Sequence, residues 1–75
     1  MEIKDFISNI ADQFDDSELC LTPETEFKNL DEWSSLVALS IISMVDEEYD
    51  VSLKGDDIRN ANTIGDLFDI VKSRR

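Results

Sequence analysis

The chain has 75 residues, of which 18 are Asp or Glu and 7 are Lys or Arg, so its net charge is −11 at pH 7. This length is enough for one small domain but leaves no room for a deep substrate cavity, and we predict a single domain over residues 1–75. The acid excess argues against nucleic-acid binding, because phosphate backbones are bound by clustered Lys and Arg. It favours partners with basic surfaces, although acidity can also serve only to keep a small protein soluble.

Cysteine and histidine usage excludes several kinds of site. Cys20 is the one cysteine and there is no histidine, so neither an internal disulfide nor a Cys/His metal cluster can form. The N-terminal stretch "MEIKDFISNIADQF" is acidic and does not resemble a signal peptide. No apolar run approaches the roughly 20 residues that cross a bilayer. We therefore expect a cytoplasmic monomer with no membrane span.

Helical periodicity begins at once. Apolar residues recur at steps of three and four over residues 2–14, which predicts a first helix. The following stretch, "DDSELCLTPETEFKNLDEW", has no sustained period and is predicted to be a long loop. Its apolar residues are expected to pin it to the core: Leu19, Leu21, Phe27 and Leu30.

The second helix is predicted from Ser35 to Tyr49, a run without a helix breaker. One face is expected to enter the core, with Ala38, Ile41, Ile42, Val45 and Tyr49. On or beside the outward surface the helix starts apolar and becomes acidic, with Leu36, Val37, Leu39, Ser40, Ser43, Asp46 and Glu47. Such a surface is a candidate docking face, although scattered exposed apolar residues are also normal.

The C-terminal part predicts two more helices. A short one is expected from about Asp56 to Asn60. The last follows Thr63 and Asp66, which have the spacing of a capping box, and it ends in cations that suit the negative end of a helix dipole. The predicted fold is all-α, a small four-helix bundle of three main helices and one short helix with a long first loop.

Catalytic chemistry finds little support. The chain lacks a histidine base, a nucleophile elbow and a glycine-rich phosphate loop, since its two glycines stand apart. The acidic pairs lack the spacing of an EF-hand and are expected to be solvated surface. We therefore expect that the protein is not an enzyme and has no metal site.

The adjacent serines at the start of the second helix allow two interpretations. Ser34 suits an N-cap, whose side chain accepts a hydrogen bond from the first turn, and on that interpretation both serines are structural. Alternatively, the unpaired N–H groups and the helix dipole would favour a phosphate ester on Ser35.

The succession "FKNLDEWSSLVALSIISMVDEEYDVSL", followed by "NTIGDLFDIV", resembles acyl carrier proteins over essentially the whole chain. The resemblance is carried by Phe27 and Leu30 in the loop, by Ser35 with Leu36, and by the acidic stretch that closes on Tyr49. It implies that a phosphopantetheinyl transferase attaches 4'-phosphopantetheine from coenzyme A to Ser35, between the flanking Ser34 and Leu36. The arm would carry acyl groups as thioesters for fatty-acid, polyketide or related biosynthesis.

The resemblance also implies where partners bind. Acyl-transferring and synthase enzymes would place basic patches against the second helix, at Leu36, Val37, Leu39, Ser40, Asp46 and Glu47. An acyl chain would be sheltered between the second and last helices, in a pocket lined by Ile41, Val45, Ile58 and Phe68.

Three departures from the family pattern keep alternatives open. Ser34 replaces the usual Asp before the modified serine, the loop is one residue longer and carries Trp33, and Ser40 stands where many members have an acid. The chain could instead be a peptidyl or aminoacyl carrier, or a carrier-like helical adaptor that binds a basic partner without an arm. Ser35 is preferred to Ser34 because it directly precedes Leu36 and keeps the spacing to Tyr49.

Overall fold

The computed structural model describes residues 2–14 and 20–75. Four α-helices follow one another: α1 (Ile3–Asp12), α2 (Ser35–Tyr49), α3 (Gly55–Asn60) and α4 (Ile64–Arg74). The described ranges contain no strand. The predicted all-α bundle of three main helices and one short one is therefore confirmed, and α2 has the predicted bounds.

Aromatic contacts join the three main helices at the centre of the core. The Phe6 ring of α1 lies 5.7 Å from the Tyr49 ring of α2 and 5.4 Å from the Phe68 ring of α4, measured between centroids. Asn9 Nδ2 also donates a hydrogen bond of 2.9 Å to the Tyr49 hydroxyl, so the phenol is satisfied at the edge of the core. These contacts set the lateral positions of α1, α2 and α4.

Residues 20–34 of the predicted first loop contain one short helical turn. Phe27 opens a single 3-10 turn (Phe27–Asn29) and its side chain is completely buried, while Leu21 and Leu30 pack against the core at partial exposure. The long loop predicted before α2 is therefore present, with Phe27 in the core as expected and one short turn that satisfies part of its backbone hydrogen bonding. The expected anchor Leu19 lies outside the described residues.

The same loop supplies hydrogen bonds to the first turn of α4. The carbonyl oxygen of Pro23 accepts from the Gly65 N–H at 2.8 Å, and that of Thr25 accepts from the Ile64 N–H at 3.1 Å. These N–H groups would have no partner inside the helix. The loop and α4 therefore stabilise each other.

The predicted capping box at α4 is present. The Thr63 hydroxyl accepts from the Asp66 N–H at 3.1 Å, and the Asp66 carboxylate accepts from the Thr63 N–H at 3.1 Å. The N–H groups of Thr63 and Asn62, both of which donate to this carboxylate, hold the pKa of Asp66 below its ordinary value.

Within the described ranges, none of the helices combines the length and the apolar character needed to cross a membrane.

Candidate functional site at the start of helix α2

Ser34 is the N-cap of α2. Its backbone is extended (φ −155°, ψ 169°), and its hydroxyl oxygen accepts a hydrogen bond of 3.3 Å from the Val37 N–H. Ser34 therefore has the predicted capping role, and its hydroxyl oxygen is engaged in a hydrogen bond with the first turn of α2.

Ser35 is the first residue of α2, and its side chain is exposed. The N–H groups of Ser35 and Leu36 have no intrahelical partner, as in the first turn of any α-helix. The first turn of α2 contains no acidic residue that would compete for these groups. The Ser35 hydroxyl therefore lies at the positive end of a four-turn helix, where a second protein can reach it and an attached anion is favoured.

Two large apolar side chains lie exposed beside the serines. Leu36 is 75% exposed and Leu39 is 62% exposed, and they are one helical turn apart on the outward side of α2. Asp46 and Glu47 are exposed further along the helix. The structure therefore places these four residues of the predicted docking face at the surface.

Val37 and Ser40 do not share that exposure. Val37 is half-buried and packs against the core, because it lies one turn before the fully buried Ile41 on the same face. Ser40 is also half-buried. Both residues were expected on or beside the outward surface, and the structure places them at its edge, where they line the groove next to the N-cap. Met44, which the sequence did not single out, is buried on the same side as Val37.

Two shallow grooves flank the exposed leucines. One, of about 470 Å³, adjoins the N-cap and is lined by Gln13, Glu32, Ser34, Leu36, Val37 and Ser40. The other, of about 420 Å³, begins one turn later and is lined by Leu39, Ile42, Ser43, Asp46, Ser52 and Leu53. Both are open to solvent, so a ligand here would lie along the surface of α2.

The expected acyl pocket is part of the packed core. Its four lining residues, Ile41, Val45, Ile58 and Phe68, are at most 8% exposed and belong to one hydrophobic cluster. Packed cores have few voids larger than a water molecule. An acyl chain could enter between these side chains only if they moved apart.

Trp33 connects the start of α2 to the core. Its ring packs edge-on against Phe27 at 5.2 Å between centroids and lies 6.3 Å from the Phe14 ring. The sequence marked Trp33 only as a departure from a family pattern. The available signal was its place directly before the N-cap, where an apolar residue often fixes the direction in which the chain enters a helix.

No family model matches the chain, and a search of solved structures finds no significant match. The resemblance to acyl carrier proteins therefore remains a prediction from the residues themselves.

Proposed function

We propose that the protein is an acyl carrier protein that bears 4'-phosphopantetheine on Ser35. The observation that supports this most directly is the exposed Ser35 hydroxyl on the first residue of α2, beside the exposed Leu36. Together they combine a modifiable group with an apolar contact for a partner.

The surroundings of Ser35 are compatible with a phosphodiester. The side chain is exposed, the first turn of α2 has no acidic residue, and the helix dipole favours negative charge at this end. Glu32 is the nearest carboxylate to Ser35 along the chain, and it lines the adjoining groove. Its negative charge opposes the charge of an added phosphate. When attached, phosphopantetheine supplies a terminal thiol that carries an acyl group as a thioester.

This chain contributes the nucleophilic oxygen of the modification. The Ser35 oxygen forms a bond to the phosphorus that bears pantetheine, the pyrophosphate bond of coenzyme A breaks, and adenosine 3',5'-bisphosphate leaves. The hydroxyl proton passes to a base in the active site of the transferase.

Partner enzymes would bind along α2, from its apolar first turns to its acidic last turn. Leu36 and Leu39 offer two exposed apolar side chains, and Asp46 and Glu47 offer exposed carboxylates to a basic patch. Electrostatic attraction of this kind speeds association more than it tightens it, which suits a carrier that moves between enzymes.

The experiment is modification by a broad-specificity phosphopantetheinyl transferase with coenzyme A, followed by intact-mass measurement. Addition of one phosphopantetheine to the wild type and to Ser34→Ala, but not to Ser35→Ala, is the expected result. The Ser34 variant is the matched control because it removes the neighbouring hydroxyl. An unchanged mass with several transferases would overturn the proposal.

A second candidate is an adaptor that binds its partner through α2 without an arm. It is favoured by the serine that stands at the N-cap where carriers usually have Asp, together with the exposed Leu36 and Leu39. The two functions differ in a measurable way. An adaptor binds in its unmodified form with an affinity that Ser35→Ala leaves unchanged and Leu36→Ala lowers, whereas a carrier delivers nothing without Ser35.

A further inference from the structure

The start of α2 has weaker local support than the start of α4. The hydrogen bond from the Val37 N–H to the Ser34 hydroxyl is 3.3 Å long, beyond the usual range for N–H donors, and the first turn has no acidic residue. At α4, a reciprocal capping box and two loop carbonyls satisfy the first turn. A contact outside the cap can therefore add to the stability of the first turn of α2.

The segment that leads into α2 has one side chain in the core. Asp31, Glu32 and Ser34 are exposed, whereas Trp33 is half-buried and packs against the hydrophobic cluster. The Trp33 N–H also donates to the Leu30 carbonyl at 3.0 Å, which closes a turn just before the helix.

The two rings that contact Trp33 are themselves buried. Phe27 is completely buried at the 3-10 turn, and Phe14, 5% exposed, follows the end of α1. Contacts of 5.2 and 6.3 Å with these rings therefore tie the start of α2 to two other parts of the fold. Aromatic pairs at such distances contribute beyond the area they bury.

Resting on the proposed function, we infer that Trp33 is a positioning residue for the modification of Ser35. Two residues before Ser35, the indole fixes the path of the chain into the helix, so the hydroxyl is held where a transferase must find it. Without the ring, Ser35 would keep its hydroxyl, but the first turn of α2 would more often be frayed. Because binding selects the ordered form, the apparent KM for the carrier should rise while kcat changes little.

The test compares transferase kinetics for Trp33→Ala, Trp33→Leu and Trp33→Phe, well below each melting temperature. We expect Trp33→Ala and Trp33→Leu to lower kcat/KM roughly three- to tenfold, mainly through KM, and Trp33→Phe to recover to within about twofold of wild type. The leucine variant keeps apolar bulk, so it carries the test if the alanine variant does not fold.

Val71→Ala is the control for a general loss of stability. Val71 is completely buried near the C-terminal end of α4. Arg75, which follows this helix, lies over the ring of Tyr49, the last residue of α2, so this end of α4 is at the end of α2 that is opposite Ser35. We expect this variant to melt lower but to be modified like wild type. If Val71→Ala slows modification as much as Trp33→Leu, or if Trp33→Leu is modified like wild type, the positioning role is refuted.

Hydrogen exchange separates this inference from the proposed function. In Trp33→Leu, the amides of residues 37 and 38, which donate to the Ser34 hydroxyl and carbonyl oxygens, should exchange roughly three- to tenfold faster, while those of residues 46–49 keep their wild-type rates. This result can be obtained even if no transferase modifies the wild type, an outcome that would refute the carrier function alone. Equal acceleration at both ends of α2, or none at residues 37 and 38, would refute the inference.

Discussion

Arg74 of α4 donates two hydrogen bonds to Asp57 of α3, from its two terminal guanidinium nitrogens to the two carboxylate oxygens, at 2.5 and 2.6 Å. The pair joins residues 17 positions apart, so it fastens the short α3 to the last turn of α4. These bonds, followed by the bond from the Lys54 N–H, hold the pKa of Asp57 below its ordinary value of 3.8.

Replacing this arginine should give a pH-dependent loss of stability. A depressed folded-state pKa of Asp57 adds stability that is fully present above the ordinary pKa and is lost as pH falls below about 4 towards the folded value. We therefore expect Arg74→Gln to lower the melting temperature by a few degrees at pH 7, and the difference from wild type to shrink below pH 4. The Arg74 side chain is 44% exposed, so solvent screening keeps the effect modest.

Arg59→Gln is the matched control, because it removes the same charge from an exposed pair. Arg59 lies 3.4 Å from Asp56, with side chains 78% and 80% exposed. Thermal melts at several pH values should show little difference for this variant. Equal losses in both variants would mean that net charge, and not the α3–α4 pair, causes the effect.

The two glycines should respond oppositely to alanine. A Cβ on Gly55 would meet no atom within 4 Å, whereas a Cβ on Gly65 would lie 3.1 Å from the Pro23 carbonyl oxygen. Neither glycine has a positive φ, so backbone freedom is not needed at either position. Gly55→Ala should stabilise the protein by about 0.4–1 kcal/mol through the unfolded chain.

Gly65→Ala should lower the melting temperature. The Pro23 oxygen cannot retreat freely, because it accepts the 2.8 Å hydrogen bond from the Gly65 N–H that caps α4. Differential scanning calorimetry of both variants decides the matter. A stabilisation at Gly65 equal to that at Gly55 would show that the loop gives way at no cost.

Replacing Phe27 and replacing Leu36 should affect stability very differently, because one side chain lies in the core and the other at the surface. Phe27 is completely buried and Leu36 is 75% exposed, although both are apolar. Phe27→Ala should cost about 3–5 kcal/mol, a large part of the stability of a small domain, and Leu36→Ala should change stability by less than about 0.5 kcal/mol. Urea unfolding measures both. A large loss in Leu36→Ala would show that this side chain is buried in solution.

Charge repulsion should make stability depend on salt. With a net charge of −11 in a chain of 75 residues, raising NaCl from 10 mM to 150 mM should increase the melting temperature by screening. Glu48→Lys should reduce this dependence and raise stability at low salt, because Glu48 is exposed in the last turn of α2, where negative charge opposes the helix dipole. Identical salt slopes in the two proteins would contradict this explanation.

Much of the helical layout follows from local sequence. The bounds of α2, the Ser34 cap and the capping box at Thr63 were all predictable, because periodicity and capping involve residues within about four positions of each other. The exposure of Leu36 and Leu39 followed from the same periodicity.

Contacts between distant segments could not be predicted in this way and are seen only in the folded chain. Examples are the hydrogen bonds between α4 and the carbonyl oxygens of Pro23 and Thr25, the Arg74–Asp57 ion pair, and the packing of Trp33 against two phenylalanine rings. Each joins residues whose separation along the chain carries no periodic signal, so their meeting depends on how the helices pack. Local capping chemistry, which involves residues close together in the chain, specifies which serine begins α2, whereas the packing of the bundle specifies how firmly that serine is held.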